Sequence, residues 1–221
     1  MNILIQQISE CVENGKVNLS SPYPPQMKGQ PGADELTRQA LDEGVIPADI
    51  LNLALVPAMN NVGQKYTENK IFVPQMLLSA KAMSASMAHL KPYFQSGEIQ
   101  RKGVMIMGTV MGDLHDIGKN LCCMMVEGAG WEVIDLGVDV KPEQFISALD
   151  THPKAVVALS ALLTTTMVNM GTIIKSIRQK YPDTKVAVGG APVNNDFAQS
   201  IGANGYGKDP QELIMWLDKE K

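Results

Sequence analysis

The spacing of hydrophobic residues changes along the chain. Up to about residue 92 apolar positions recur every three to four residues, which is the period of an amphipathic helix. The segments 33–44, 46–63 and 73–92 show this spacing, and the N-terminal stretch 1–15 also predicts a short amphipathic helix. These segments give about four helices, the usual number for a small bundle.

Proline and glycine mark the expected ends of these helices. The segment 18–32 is rich in Pro, Gly and Ser and predicts a loop without regular structure. Pro57 predicts a kink, and Pro92 is expected to end the last helix of the bundle. The polar stretch that follows is a candidate hinge, assigned to residues 96–102.

Beyond residue 103 short apolar runs of strand length alternate with helical stretches. The predicted strands are residues 104–108, 131–137, 155–161 and 185–190. Alternating strands and helices indicate βαβ units and a parallel sheet. We therefore predict an α/β, flavodoxin-like (Rossmann-like) doubly wound parallel sheet of five strands, preceded by a small helical-bundle cap domain. The predicted limits are 1–95 for the cap, 96–102 for the hinge and 103–221 for the α/β domain.

Composition narrows the class of protein. The chain has 221 residues, 45% hydrophobic and 19% charged, with a net charge of −4. An acidic chain argues against a nucleic-acid partner, and no apolar run approaches the length of a membrane span. Three cysteines without CxxC spacing favour a reducing compartment, so we expect a cytoplasmic protein.

The stretch GDLHDIGKN, residues 112–120, carries the candidate chemistry. Asp113 and His115 could not meet on a helix, where residues two apart diverge, but they can meet in a loop. A histidine that donates to a carboxylate from one ring nitrogen is the usual metal-ligating arrangement. We expect Ile117, Leu121 and Met124 to form the inward stripe of the following helix, with His115 at its mouth.

Other interpretations of this stretch stay open on these residues alone. A single Asp-x-His is commonly a helix cap or a surface pair, and a proton-transfer role for His115 lacks an evident partner. A zinc site needs three or four ligands, whereas the chain has only three histidines. A metal bound by His115 would therefore be coordinated largely by something other than protein.

Several motifs together resemble one known family. GDLHDIGKN resembles the Asp-x-His-x-x-Gly signature of cobalamin-binding domains that hold the cofactor with its own base displaced. SALLTTT (160–166), VGGAPV (188–193) and GANGYGKD (202–209) resemble that family's later segments, although Asn204 replaces an aspartate often found there. The helical half resembles the capping bundle of corrinoid proteins and of cobalamin-dependent methionine synthase. The resemblance covers residues 34–218.

The resemblance implies a role for each matching residue. His115 would be the lower ligand of cobalt, Asp113 would orient it, and Thr166 or its neighbour Thr165 would complete a His–Asp–hydroxyl relay. Ser160 would hydrogen-bond the displaced base. The other implied cofactor-binding residues are Leu114, Asp116, Ile117, Gly118, Leu162, Thr164, Gly189, Gly190, Tyr206 and Gly207. In the cap, the candidates to face the ring are Met59, Val62, Phe72, Met76 and Met83.

The function implied by the resemblance is that of a methyl carrier. Cobalamin, present as methylcobalamin in the loaded state, would shuttle a methyl group from a donor-specific methyltransferase to a second methyltransferase with a folate- or thiol-type acceptor. A reductive activator of the corrinoid is a further expected partner. A TIM-type substrate barrel needs about 250 residues, so the chain is expected to be a non-autonomous component.

Three alternatives from other classes remain on the sequence. A carbon-skeleton mutase subunit would bind adenosylcobalamin but usually lacks the helical cap. A cobalamin-dependent regulator would carry a DNA-binding module, and nothing basic that could form one precedes residue 34. A cofactor-free scaffold protein would fail to bind cobalamin.

Overall fold

The computed structural model describes residues 2–220, which form two compact units. The helical unit extends to Arg101 and includes Gly128–Gly130, and the α/β unit comprises the rest of the chain from Lys102. No helix within residues 2–220 is long and apolar enough to cross a membrane. The role of residues 96–102 as a hinge stays a prediction.

The helical unit contains the predicted bundle. Its elements are α1 (Ile3–Asn14), α2 (Ala33–Asp42), α3 (Pro47–Asp49), a π-helical segment (Ile50–Leu55), α4 (Val56–Thr67) and α5 (Val73–Gln95). Helix α1 starts where the side chain of Asn2 accepts a hydrogen bond from the N–H of Leu4, and it ends at Gly15 with a φ of 71°. The π-helical segment ends two residues before Pro57, and a kink at Pro57 stays a prediction.

The end of α5 differs from the prediction. Pro92 lies inside this helix, which continues to Gln95, so the expectation that Pro92 ends it is wrong. Proline removes one backbone donor, but its carbonyl group still accepts a hydrogen bond from the N–H of Ser96 at 2.9 Å. The fully buried Leu90 also secures this part of the helix in the apolar core.

The loop at residues 18–32 is fastened at both ends by charged side chains. Its regular structure is one 3₁₀ turn, Pro25–Met27. The Glu35 carboxylate accepts hydrogen bonds from the N–H groups of Leu19 and Gly32, each at 2.9 Å. Lys16 is fully buried, and its ammonium group donates to the carbonyl oxygen of Ser21 at 3.0 Å. The loop thus has a defined path despite its composition.

The α/β unit has the predicted alternation of strands and helices. Its elements are β1 (Val104–Thr109), α6 (Ile117–Gly128), β2 (Glu132–Asp135), α7 (Pro142–Thr151), β3 (Val156–Ser160), α8 (Thr164–Met167), α9 (Asn169–Lys180), β4 (Val186–Gly189), α10 (Asn195–Ser200), β5 (Gly205–Gly207) and α11 (Pro210–Leu217). The five strands are all parallel, in the order β2-β1-β3-β4-β5. This is the flavodoxin-like order, so the predicted fold class is confirmed.

Helix α6 faces the sheet differently from the prediction. Ile117 is 70% exposed, so it does not belong to the inward stripe. The buried side of α6 carries Leu121, Met125 and Val126. Ile117 opens the helix directly after the loop that contains His115, which leaves its side chain at the surface around the loop.

Candidate functional site

The candidate site lies at the carboxyl ends of β1 and β3. The strand order reverses between these two strands, and ligands of such sheets bind outside the point of reversal. Thr109 pairs with Ser160, Ser160 with Gly189, and Gly189 with Gly207. The parallel register therefore places the predicted residues Ser160, Gly189 and Gly207 in one row along the edge of the sheet that carries the His115 loop.

The carboxylate of Asp113 is the centre of the hydrogen-bond network at this edge. Its Oδ1 atom accepts from the N–H of His115 at 3.1 Å and contacts Nδ1 of the same residue at 2.7 Å. Its Oδ2 atom accepts from the hydroxyl of Thr166 at 2.6 Å and from the N–H groups of Leu162 at 2.8 Å and Leu163 at 3.4 Å. The Asp113 side chain is 0% exposed.

These donors determine the ionisation of Asp113. Burial alone would raise the pKa of this carboxyl group, because it disfavours the charged form. The hydrogen bonds from Thr166, the Leu162 amide and His115 outweigh burial and hold the pKa of Asp113 well below its usual range. Asp113 is therefore an anion at neutral pH, although it is buried.

The imidazole of His115 is fixed on one side and open on the other. Nδ1 faces the acceptor Asp113, so in the neutral imidazole this nitrogen carries the proton and the lone pair lies on Nε2. The side chain is 50% exposed. The backbone carbonyl of His115 accepts a hydrogen bond at 2.9 Å from the hydroxyl of Thr109, which is fully buried at the end of β1. This arrangement leaves Nε2 as an oriented candidate nitrogen donor.

The structure distinguishes the two candidate hydroxyl groups. Thr166 is buried, and its hydroxyl donates to Asp113 across 53 positions of sequence. Thr165 is exposed. The geometric arrangement of a histidine, a carboxylate and a hydroxyl thus consists of His115, Asp113 and Thr166.

The surface around His115 is apolar and open. Leu114 is 72% exposed and Ile117 is 70% exposed, which is unusual for large aliphatic side chains, and Asp116 is exposed beside them. A Cβ atom added to Gly118 would have no heavy atom within 4 Å. The loop and the first turn of α6 therefore leave room for a wide apolar ligand to approach the backbone.

The remaining predicted residues of the α/β unit lie around the ends of β3, β4 and β5. Leu162 and Thr164 are exposed, whereas Ser160 and Tyr206 are half-buried. Gly190 has a φ of 120°, and a Cβ atom there would lie 1.9 Å from the carbonyl oxygen of Ala161. Close approach of two backbone segments is thus enough to explain the glycine at this position.

Asn204, which departs from the family pattern, has a structural role. Its Oδ1 atom accepts a hydrogen bond from the N–H of Val186 at 2.9 Å, and its own N–H donates to the Val186 carbonyl at 2.7 Å. These bonds join the start of β4 to the residue before β5, at the sheet edge opposite His115. An asparagine here secures an edge strand.

Residues in the helical unit were also proposed to face the cofactor. Met59, Val62, Met76 and Met83 are buried, whereas Phe72 is 63% exposed. Within residues 2–220 no three histidine, cysteine, aspartate or glutamate side chains are grouped to hold a metal ion. The proposed facing of the methionines toward a ring stays a prediction.

Sequence reasoning missed the contacts between the loops after β1 and β2. Asp139 accepts a hydrogen bond from the N–H of Gly112 at 2.7 Å. Lys119, which is 2% exposed, forms an ion pair with Asp135 at the end of β2. Because neighbouring parallel strands end at the same edge, the aspartates in DLGVD were a usable signal once β1 and β2 were expected to pair.

Comparisons with known proteins identify relatives that match both units of the chain. Two models of the B12 binding domain match residues 103–214 and 30–91. A corrinoid protein of Desulfitobacterium hafniense (strain Y51) is 36% identical over 190 residues, which is 84% of this chain and 88% of that protein. A trimethylamine corrinoid protein of Methanosarcina mazei is 35% identical over 186 residues, covering 82% of this chain and 86% of that protein.

A solved structure resembles both the sequence and the fold. The crystal structure of the methanol:cobalamin methyltransferase complex from Methanosarcina barkeri contains a chain that matches with a TM-score of 0.80 and 28% identity. The match covers 98% of this chain and 79% of that chain. With the site on the loop after β1, the matched B12 models and these relatives show that the chain belongs to the family of cobalamin-binding corrinoid proteins of methyltransferase systems.

Proposed function

We propose that this chain binds cobalamin with the cofactor's own base displaced, uses Nε2 of His115 as the lower ligand of cobalt, and carries a methyl group between two methyltransferases. The observation that carries the proposal is the pairing of Nδ1 of His115 with the buried Asp113 carboxylate, which leaves Nε2 directed away from its fixing partner. When bound, cobalamin would supply a cobalt centre able to accept and release a methyl group.

The residues present fit such a cofactor. A corrin ring brings most of its metal's donors with it, so one protein nitrogen would suffice, and the half-exposed imidazole of His115 would supply it. The exposed Leu114 and Ile117 match the apolar edge of the ring, and the open space at Gly118 allows it to approach. The fit rests on the donor and on the shape of the surface.

The Asp113 and Thr166 side chains would control the protonation of His115. The carboxylate holds the Nδ1 proton, which fixes the tautomer that has its lone pair on Nε2. In the doubly protonated form of His115, the Asp113 anion would stabilise the imidazolium. The Thr166 hydroxyl at 2.6 Å keeps the carboxylate oriented in both states.

The two methyltransferases would bind the methyl donor and the methyl acceptor. The structural relative from Methanosarcina barkeri is described as part of a methanol:cobalamin methyltransferase complex, which supports a methyltransferase partner for this chain. We extend the proposal to a second, acceptor-specific methyltransferase and to a reductive activator. The shielding roles of Met59, Val62, Phe72, Met76 and Met83 belong to the same proposal, as does movement about residues 96–102.

The test is the visible spectrum of the protein reconstituted with hydroxocobalamin. We expect the wild-type chain to give the signature of cobalamin with its base displaced and a histidine bound. His115→Ala should lose this signature, because it removes the axial donor.

His89→Ala is a matched control, since His89 also contacts an aspartate, Asp34, at 2.6 Å. It should leave the spectrum unchanged. If His115→Ala kept the wild-type spectrum, the proposal that His115 is the ligand would be refuted.

A further inference from the structure

We propose that Asp139, in the loop after β2, is a positioning residue that holds the backbone at Gly112 and Asp113 and thereby sets the direction of His115 toward the metal. The inference rests on the proposed function, since it assigns a role in metal ligation by His115. It concerns a residue outside the Asp-x-His-x-x-Gly motif, on a different strand connection.

Asp139 contacts the His115 loop through two hydrogen bonds of opposite polarity. Its carboxylate Oδ1 accepts from the N–H of Gly112 at 2.7 Å, and its own N–H donates to the carbonyl oxygen of Asp113 at 3.0 Å. Together these bonds hold the peptide groups that precede and follow the peptide bond between Gly112 and Asp113. The side chain of Asp113 in turn fixes both the backbone N–H and the Nδ1 atom of His115.

Gly112 is the part of the loop that needs such a restraint. It has a φ of 82°, and glycine has the widest choice of backbone conformations. Because Gly112 directly precedes Asp113, a change in its conformation would move the carboxylate away from Leu162 and Thr166. The Asp139 carboxylate removes this freedom by holding the Gly112 N–H.

Asp139 has an uncommon backbone conformation that makes these contacts possible. Its φ is 53°, and Asn69 is the other described non-glycine residue with a positive φ. Non-glycine residues persist in this region when their surroundings hold them there, and aspartate tolerates it better than most. The left-handed conformation turns the Asp139 N–H toward Asp113 while its side chain reaches Gly112.

The loop that carries Asp139 is itself anchored to β1 and α6. The buried ammonium group of Lys119 pairs with Asp135, and the Oδ1 atom of Asp135 accepts from the N–H of Gly137 at 2.9 Å. On the β1 side, the Thr109 N–H donates to the Gly137 carbonyl at 3.0 Å and the Val140 N–H donates to the Thr109 carbonyl at 2.9 Å. The loop that carries Asp139 is therefore held in place, as a positioning role requires.

Asp139 is exposed, so its side chain does not serve the apolar core. Its replacement should leave the fold intact, which allows a test on the folded chain. Asp139→Gly keeps access to the positive φ and removes the carboxylate, whereas Asp139→Asn keeps both the conformation and an acceptor oxygen. Asp183→Gly is the control, because it removes the same side chain from an exposed turn before β4.

The experiment is electron paramagnetic resonance of the cobalt(II) form of bound cobalamin, with histidine labelled with heavy nitrogen. Coupling of the unpaired electron to the labelled nitrogen reports the fraction of cobalt ligated by histidine. We expect Asp139→Gly to lower the equilibrium constant for ligation about 10-fold, the lower end of the effect of outer partners of metal ligands. Asp139→Asn should restore most of the ligated fraction, and Asp183→Gly should match wild type.

The outcomes separate this inference from the proposed function. A wild-type spectrum without coupling to labelled histidine would refute histidine ligation itself, and the Asp139 role with it. Coupling in wild type with an equal ligated fraction in Asp139→Gly would overturn the role of Asp139 alone. Equal losses in Asp139→Gly and Asp139→Asn would also overturn it, because the asparagine keeps the acceptor on which the argument depends.

Discussion

Within residues 2–220, two histidine–aspartate pairs have almost equal lengths, one in each unit. In the helical unit His89 meets Asp34 at 2.6 Å, and in the α/β unit His115 meets Asp113 at 2.7 Å. The aspartates differ: the Asp34 side chain is 43% exposed, whereas the Asp113 side chain is fully buried and accepts from Thr166 and two loop amides as well. The candidate site is therefore the pair whose carboxylate is buried and held by donors other than the histidine.

Of the two histidines, the one that pairs with the buried aspartate is the more exposed. The His89 side chain is 28% exposed on a long helix, while the His115 side chain is 50% exposed on a loop beside exposed leucine and isoleucine side chains. A fixed carboxylate combined with an accessible imidazole is what a ligand of an external metal requires. The His89–Asp34 pair has a similar distance, but its carboxylate is exposed and its imidazole is less accessible. This pair joins α2 to α5.

Removal of each aspartate should give the largest difference between the two pairs. Asp113→Ala should lower the free energy of unfolding by about 3 kcal/mol, because several donors lose their acceptor in a buried place. Asp34→Ala should cost less than about 1 kcal/mol, as expected for an exposed pair. Urea unfolding measures both, with tryptophan fluorescence for Asp113→Ala, since Trp131 and Trp216 lie in the α/β unit.

Circular dichroism follows the helical unit in the Asp34→Ala chain. Equal losses of stability in the two variants would contradict the contrast between a fixed and an exposed carboxylate.

Acid should distinguish the buried carboxylate of Asp113 from the exposed carboxylate of Asp34. The pKa of Asp113 is lowered in the folded chain from its ordinary value of 3.8, so below about pH 4 the unfolded state binds the proton first. The stabilising contribution of Asp113 is therefore complete above this pH and is lost as the pH falls toward the folded-state pKa. From about pH 5 to about pH 3, the free energy of unfolding should fall less in Asp113→Asn than in wild type, and urea unfolding at both pH values measures this difference.

The same pH dependence in both chains would show that the Asp113 carboxylate is not the group responsible. Asp34→Asn is the matched control, and it should retain the wild-type dependence.

The smallest expected effect separates the neighbouring threonines. Thr166→Val should lower stability by about 1–2 kcal/mol, because the Asp113 carboxylate loses its shortest donor. Thr165→Val should change stability by less than about 0.5 kcal/mol, since its side chain is exposed. Thermal denaturation measures the melting temperature of both variants. Equal shifts would contradict a specific role of Thr166 in holding the Asp113 carboxylate.

Much of the fold follows from local patterns in the chain. The change from helical period to short apolar runs predicts the helical half, and the strands predicted at 104–108, 131–137, 155–161 and 185–190 all occur with shorter or shifted ends. Pro92 and Ile117 show where such patterns fail. Proline is tolerated near the end of a well-packed helix, and an apolar residue at helical spacing can be exposed where a loop enters the helix.

The residues of the site's motif could be predicted from the sequence, but the contacts that hold them in place could not. Asp113 and His115 are two residues apart, so their contact could be anticipated from a loop conformation. The choice of Thr166 over Thr165 depends on the short helix Thr164–Met167, whose turn directs one hydroxyl toward β1. The pairing of Asp139 with Gly112 depends on β1 and β2 being neighbours, over 27 positions of sequence.

The order of the elements, the class of fold and the candidate ligand His115 can be read from the sequence, because they depend on local period and on a compact motif. Contacts between distant segments select the donors that fix the Asp113 carboxylate and the loop that holds Gly112. The physical reason is that parallel strands bring their carboxyl ends to one edge, so residues distant in sequence meet there. That meeting depends on strand order and register, which no single segment encodes.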